Sequence, residues 1–363
     1  MMNIRDKLQE NWAEEFVNAG GQGILHLCPR AGKIRTSIRI FKKYQKIYGY
    51  KPKILIAYPD KNIQKAWEDD IQAVGYKNSN ITYVTHVSLA KEIGNSYDII
   101  VCDEIHLLSA NQKNNFNKLF NNTRSEYILG LSGTLAENTE FELRRDLNLK
   151  VISSYTLDEA ITDGLISDYR INIIKTELDN TTIVDVKKKR TEKEKYRALT
   201  WVIENKGQNL FLSLSRMRIV HNSLSKTEIT KKLLNSLKDK RVLVFCANNK
   251  VAKALGCKVH TAKFKNQDEF DKFIGDTSKY NHMAVCKIGN TGLSFKSLDH
   301  IVVNAFDSNS ENLTQRICRS LILDAKGKIS TIYIISSKEK AELKWLEKSL
   351  EFFDQTKIKY YER

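Results

Sequence analysis

Short apolar runs rich in Ile, Val and Leu alternate along the chain with longer stretches in which apolar residues recur every three or four positions. Runs of the first kind suit strands buried on both faces; stretches of the second kind suit amphipathic helices laid over them. In the first half this reading predicts strands over 23–28, 53–57, 81–85, 98–102 and 127–131. A second set follows at 241–246, 282–286, 300–304 and 330–335. The alternation predicts an α/β protein with two mainly parallel sheets and crossover helices on both faces.

Between the two sets the pattern turns helical. Thr191-Glu192-Lys193-Glu194 has the capping-box form, after which Tyr196, Leu199, Val202 and Ile203 share a helical face. Ser225-Lys226-Thr227-Glu228 repeats that form ahead of Ile229, Leu233, Leu234 and Leu237. A last helix is expected from about 338, through Leu343, Leu346 and Leu350. The expected organisation is therefore a first lobe over 1–175, a helical linker over 176–238 and a second lobe over 239–363.

Charge adds a partner class. Among 363 residues, 59 are Lys or Arg and 43 are Asp or Glu, a formal net charge of +16. Such an excess favours phosphate-rich partners, although a lysine-rich solvated surface has the same composition. The run Val186-Lys187-Lys188-Lys189-Arg190 reads either as a solvated linker or as a nucleic-acid contact. Six cysteines without a C-x-x-C spacing offer no zinc site and suit a reducing compartment. The polar N-terminus and the lack of a long apolar run predict a cytoplasmic chain with no membrane contact, and a monomer is expected.

Two segments place reactive groups at strand ends. The run 25–28 leads into Pro29-Arg30-Ala31-Gly32-Lys33, a tight loop before a helix. That geometry aims backbone N–H groups at phosphate, with the lysine reaching the terminal oxygens. The full phosphate-loop pattern asks for Ser or Thr after the lysine, where this chain has Ile34. Thr36 and Ser37 lie two or three helical steps on and face elsewhere. Alone, the loop reads as an ordinary turn. Downstream, Asp98-Ile99-Ile100-Val101-Cys102 delivers Asp103 and Glu104 at the carboxyl end of a buried strand, where ligands bind in open α/β sheets. One carboxylate can hold Mg²⁺ while the other orients or deprotonates water. Without the upstream lysine the same pair reads as a solvated acidic turn.

In order along the chain, Gly32-Lys33, Asp103-Glu104-Ile105-His106 and Ser132-Gly133-Thr134 resemble the motifs of the DExH-type superfamily 2 helicases and translocases. The resemblance implies two tandem RecA-like lobes, ATP and Mg²⁺ as cofactors, and nucleic acid, DNA in particular, as partner. It assigns phosphate binding to Arg30, Ala31, Gly32 and Lys33, Mg²⁺ to Asp103, and the attacking water to Glu104. His106, Ser132 and Thr134 would couple hydrolysis to movement. Gln9 takes the place of an adenine-reading glutamine, a plain surface-helix glutamine being the alternative. Ala57-Tyr58-Pro59-Asp60-Lys61 and Val84-Thr85-His86-Val87-Ser88 resemble loops that grip the phosphate backbone, which makes Lys61, Thr85 and Ser88 candidates.

In the second half, Phe245-Cys246-Ala247 and His260-Thr261 resemble the opening motifs of the second lobe. The segment 284–294 resembles the motif that follows, with Ser294 in place of the usual acid. His260, Thr261 and Lys287 are the implied nucleic-acid residues here, and Gly292 joins the nucleotide set. Gln315-Arg316-Ile317-Cys318-Arg319 resembles the arginine-finger motif, with Gln315 and Arg319 as catalytic residues; an amphipathic helix with exposed arginines is the plain alternative. Cys318 stands for a glycine and Ile322 for a second arginine. The whole is most similar to small phage helicases of the UvsW-like kind. The implied activity is ATP-driven DNA helicase or translocase action, possible remodelling or branch migration included. Ile34 and Ile322 leave open a weakly hydrolysing or non-hydrolysing DNA-binding or annealing module on the same fold.

Overall fold

The computed structural model describes residues 3–123, 125–207, 209–261, 263–286, 295–298, 300–306, 310–318, 320–322 and 327–362. The chain divides into two units, Met1–Leu165 and Ile166–Arg363.

The first unit runs α1 (Ile4–Asn18), β1 (Gln22–Leu27), α2 (Lys33–Tyr48), β2 (Ile54–Tyr58), α3 (Lys61–Ala73), β3 (Ile81–Thr85), β4 (Ile99–Cys102), α4 (Ala110–Thr123), β5 (Tyr127–Ser132), α5 (Glu137–Leu147), β6 (Val151–Tyr155) and α6 (Leu157–Thr162). Its strands form one parallel sheet in the order β3-β2-β4-β5-β1-β6. All five strands expected here form; β6, half polar and short, is the addition. Because β5 lies between β4 and β1, their carboxyl ends sit side by side. His26 pairs with Ser132, and Gly130 pairs with both Ile24 and Cys102. The strands are apolar throughout because helices cover them. Leu55, Ile100 and Ile128 pack with Phe116, Leu119 and Leu143 in one core, and Trp12, Phe16, Phe41, Tyr44 and Trp67 of α1–α3 are buried as well.

The second unit runs β7 (Asp168–Thr176), β8 (Ile183–Asp185), β9 (Arg190–Thr191), α7 (Glu192–Lys206), α8 (Leu210–His221), α9 (Leu224–Ser236), β10 (Val242–Cys246), α10 (Asn249–Ala254), β11 (Lys258–His260), α11 (Gln267–Gly275), β12 (His282–Cys286), β13 (His300–Val303), α12 (Ser310–Ile317), β14 (Ile329–Ser337), α13 (Lys340–Leu350) and β15 (Ile358–Glu362). Seven strands make a parallel sheet in the order β11-β12-β10-β13-β14-β7-β15, and β8 with β9 forms a small antiparallel hairpin.

Three local expectations change. The first unit ends at Leu165 rather than 175, because β7 pairs with β14 along its whole length and belongs to the second sheet. The Ser225 capping box does not form: Ser223 caps α9 by accepting from the Lys226 N–H, while Glu228 pairs with Lys231 at 2.7 Å. The tail does not stop at a helix, since β15 follows and pairs with β7. The Thr191 box does form, with Thr191 and Glu194 exchanging both bonds. Lys187, Lys188 and Lys189 of the basic run lie in the turn of the β8–β9 hairpin, and Arg190 opens β9. Across the unit, Lys226 Nζ of α9 meets Glu342 Oε1 of α13 at 2.6 Å, and both side chains are buried. The other Glu342 oxygen accepts from the Ser337 N–H. The six cysteines are free thiols, and among the described residues no helix is long and apolar enough to cross a membrane.

Candidate nucleotide site

Strand β1 ends in a loop that turns sharply into α2. Arg30 (φ +74°) and Gly32 (φ +99°) both take left-handed backbone conformations. Gly32 caps α2 without a side-chain acceptor, so no side chain caps the amides of the first helical turn. Glycine is favoured there by its φ, and any Cβ would also displace Gln9 from its bond to Ala31. A side chain would be strained at that φ, and a Cβ would fall 2.1 Å from Gln9 Nε2. Gln9, buried in α1, donates from that nitrogen to the Ala31 carbonyl at 3.1 Å. Its Oε1 is buried with no hydrogen-bond partner. Gln9 also lines a cavity of about 510 Å³ with Asp6, Arg35, Arg39 and Val74.

At the end of β4 the backbone of Asp103 continues the ladder, donating to the Ala57 carbonyl at 2.8 Å. Its Oδ2 accepts from Trp67 Nε1 at 2.9 Å and its Oδ1 from the Glu104 N–H at 3.0 Å. Glu104 then takes a left-handed conformation (φ +49°), which swings its side chain back to the loop after β1. Its Oε1 lies 2.8 Å from Lys33 Nζ, the first residue of α2. Its Oε2 is buried without a hydrogen-bond partner, 3.5 Å from His106 Nδ1.

Burial pushes the Asp103 carboxyl above its ordinary value, and repulsion from Glu104 adds to this against the pull of Lys33. Burial acts on Glu104 in the same sense, but Lys33, with His106, outweighs it and holds that carboxyl low. For Lys33 burial opposes the charge, yet Glu104 and Asp103 keep the ammonium above its usual range. The triad is thus a lysine with one ionised carboxylate bound to it and a second that ionises less readily.

A polar chain leaves this triad. Ser132 Oγ donates to the Thr134 carbonyl at 2.7 Å, so its lone pair receives His106 Nδ1–H at 2.7 Å. Burial pushes the His106 imidazole down to about 4, which keeps it neutral and consistent with this tautomer. Thr134 Oγ1 is buried with no hydrogen-bond partner. Behind the acids, His86 Nε2 lies 3.0 Å from the Asp103 carbonyl, which can only accept, and so carries its proton there.

For a metal the donor set is small. Among the described residues no group of three or more His, Cys, Asp or Glu forms a cage. Thr36 and Ser37 turn their hydroxyls to the Gly32 and Lys33 carbonyls, as helical geometry implies. Each Asp103 oxygen accepts one hydrogen bond and keeps lone pairs. That fits Mg²⁺, which takes one or two carboxylates and fills its shell with water and phosphate. The uncapped helix start, Lys33 and the unpartnered Gln9 oxygen likewise fit a purine nucleotide.

The remaining candidates fall outside this cluster. Lys61 opens α3 and is exposed, and Thr85 donates to Ser88 at 3.1 Å just past β3. His260 is buried against Phe270, ring centroids 4.0 Å apart, and Thr261 is buried beside it. These two shape the loop after β11 rather than face solvent. Gln315 is half-buried in α12. Lys287, Gly292 and Arg319 lie outside the described residues. Sequence reasoning missed Trp67 and assigned no role to His86. Trp67 stands 36 positions before Asp103, and no local pattern joins them.

Residues 225–321 match the family described as the helicase conserved C-terminal domain. No curated protein matches the chain. Among solved structures it is similar to a variant of S. cerevisiae Dbp5 bound to RNA and ADP BeF3, at 12% identity and TM-score 0.62, over 98% of this chain and 89% of that one. A second structure of S. cerevisiae Dbp5 with RNA and ADP BeF3 gives 11% identity and TM-score 0.60, over 98% and 89%. The ATP-dependent Type ISP restriction-modification enzyme LlaBIII bound to DNA is similar at 12% identity and TM-score 0.63, over 100% of this chain but 31% of that one. The chain thus spans about a third of that enzyme. At such identities the likeness is one of fold, and the two parallel-sheet units are RecA-like lobes of the helicase kind.

Proposed function

We propose that the chain is an ATP-dependent nucleic-acid motor of the DExH type, a helicase or translocase that acts on DNA. One observation carries the reading: Lys33 and Glu104 form an ion pair beside Asp103 where the carboxyl ends of β1, β5 and β4 meet. The net charge of +16 supports a polyanionic partner. The likeness to proteins solved with RNA or DNA supports nucleic acid in that role.

In this reading Lys33 and the first-turn amides of α2 hold the terminal phosphates of ATP, and Gln9 meets the base with its buried oxygen. Asp103 holds Mg²⁺, which supplies charge neutralisation on those phosphates when bound. Glu104 orients water and receives its proton. Its hold by Lys33 makes it a poor base; once the ammonium turns to phosphate, that stabilisation weakens and its basicity rises. His106, Ser132 and Thr134 form a hydrogen-bonded chain that starts beside Glu104, with His106 Nδ1 at 3.5 Å from its Oε2, and runs to the segment after β5, suited to passing a change at the acid to the backbone beyond. Gln315 and Arg319 keep the catalytic roles implied by their motif.

The test is steady-state ATP hydrolysis with Mg²⁺, alone and with single-stranded, duplex and forked DNA and with RNA. Stimulation by DNA that Lys33→Ala abolishes is the expected result, and turnover retained in Lys33→Ala would sink the assignment. Salt-sensitive DNA binding without turnover would favour a non-hydrolysing module. Ile34→Thr is then the variant to assay, since nothing at position 34 offers a metal ligand.

A further inference from the structure

Helices α7 and α8 pack as a hairpin whose base and far end differ in chemistry. At the base, Tyr196, Leu199, Ile219 and Val220 close on Leu178 in a small core of their own, with Arg216 over the Tyr196 ring. Toward the far end the apolar side chains have no cover. Trp201 is 57% exposed, Leu210 75% and Phe211 72%, and Leu214 is exposed one turn on. Helix α8 is apolar on most of its circumference, yet Ile219 and Val220 alone are buried. This first turn of α8 is a built feature, because Asn209 caps it by accepting from the Leu212 N–H at 2.8 Å. Leu210 and Phe211 both stand within a helical turn of Leu214 and so share a face with it.

The charge on the same hairpin selects the occupant. Between 195 and 218 the cations are Lys195, Arg197, Lys206, Arg216 and Arg218, and the single acid is Glu204. Arg197, Lys206 and Arg218 are exposed. Arg197 shares the acids Glu177 and Glu339, and Glu192 and Glu194 open α7, so the cationic excess lies with Lys206, Arg216 and Arg218. Apolar rings set among such cations suit a polymer that is anionic along its backbone and flat and apolar on its unpaired rings. Single-stranded nucleic acid has that chemistry, and aromatic residues in a basic setting are the usual means of holding it.

We propose that the α7–α8 hairpin is a stacking platform for unpaired bases, with Trp201 and Phe211 as the stacking residues and Lys206 and Arg218 as phosphate contacts. The proposal rests on the nucleic-acid reading above and adds a site to it. It places selectivity for single strands on an element that carries none of the nucleotide-binding residues.

The full chain offers a direct optical test. Of its four tryptophans, Trp12 and Trp67 are buried and Trp345 is half-buried, which leaves Trp201 as the exposed one. A single-stranded oligothymidylate should quench tryptophan emission where a duplex does not. Trp201→Phe should remove the quenching and retain affinity measured by fluorescence anisotropy, since a ring remains to stack. Trp201→Ala with Phe211→Ala should lose about tenfold or more in affinity for each ring removed, with circular dichroism unchanged. The slope of affinity against salt should persist, because the phosphate contacts remain. Binding by the double alanine variant as tight as the parent would overturn the hairpin site and leave the nucleic-acid reading standing. No binding of any oligonucleotide by the parent would overturn both. Self-association of the parent in sedimentation velocity, abolished in the double variant, would mean that a second copy covers this face, and would overturn the proposal.

Discussion

Trp67→Phe tests the assignment of Asp103 through a residue that touches no substrate. Trp67 is buried, its ring stacked near Phe41 at 6.4 Å, and its indole N–H donates to Asp103 Oδ2 at 2.9 Å. Phenylalanine keeps a ring in the pocket and removes the donor. A hydrogen bond to a charged group contributes about 1.5–3 kcal/mol. Its loss falls on the ionised carboxylate alone, so at 1.36 kcal/mol per unit the Asp103 pKa rises by about one to two units. That carboxyl is already held high by burial, so the shift carries its titration further into the working pH range. At limiting Mg²⁺, where protonation of metal-free Asp103 competes with metal binding, the acid limb of DNA-stimulated ATP hydrolysis should move up by about one to two units, and more Mg²⁺ should be needed to reach full rate at neutral pH. The smaller ring also loosens the core, which costs about 1–3 kcal/mol of stability. A loosened core does not by itself displace a pH profile, so the two effects separate. A folded Trp67→Phe protein with an unmoved acid limb at limiting Mg²⁺ would refute Asp103 as the carboxylate that must ionise to hold Mg²⁺.

Two further outcomes follow from buried groups. Lys226→Met strands Glu342 Oε1 in the interior of the second unit and should cost about 3–5 kcal/mol in urea unfolding of the full chain. Adding Glu342→Gln, which still accepts from the Ser337 N–H, should restore most of that loss, and a single variant as mild as a surface substitution would contradict the burial. For pH, burial pushes His86 and His106 each down to about 4 from an ordinary 6.5. Between those values the unfolded chain binds more protons, so stability should fall as pH drops from about 6.5 toward 4, by at most about 3 kcal/mol per histidine. Glu104, held low, adds to the loss below its unfolded value, while Asp103, held high, gains on protonation and opposes it. A melting temperature flat through this window would contradict neutral burial of the two imidazoles; His86→Gln, which still donates to the Asp103 carbonyl, should flatten the slope.

Much of the fold was legible because burial on both faces writes strands as apolar runs, and each expected strand forms within a few residues. The Thr191 box was legible for the same local reason, since all its partners lie within four residues. The Ser225 box was misread because two serines compete two positions apart, and only packing of α9 chose Ser223. Residues 168–175 were placed in the first lobe without being read as a strand, and their pairing with β14 could not be seen in their own pattern, which does not state which sheet a segment joins.

The same division holds at the site. Sequence by itself determined the residue types and their places at strand ends: Gly32 and Lys33 after β1, Asp103 and Glu104 after β4, Ser132 and Thr134 around the end of β5. Tertiary structure decided which of them meet. The order of parallel strands brings those three ends together, the left-handed turn at Glu104 aims its carboxylate at Lys33, and α3 brings Trp67 onto Asp103. These contacts span 71 and 36 residues of chain. Local pattern records what each segment buries, not which distant segment buries it, and charge pairing at such separations is set only once the sheet has assembled.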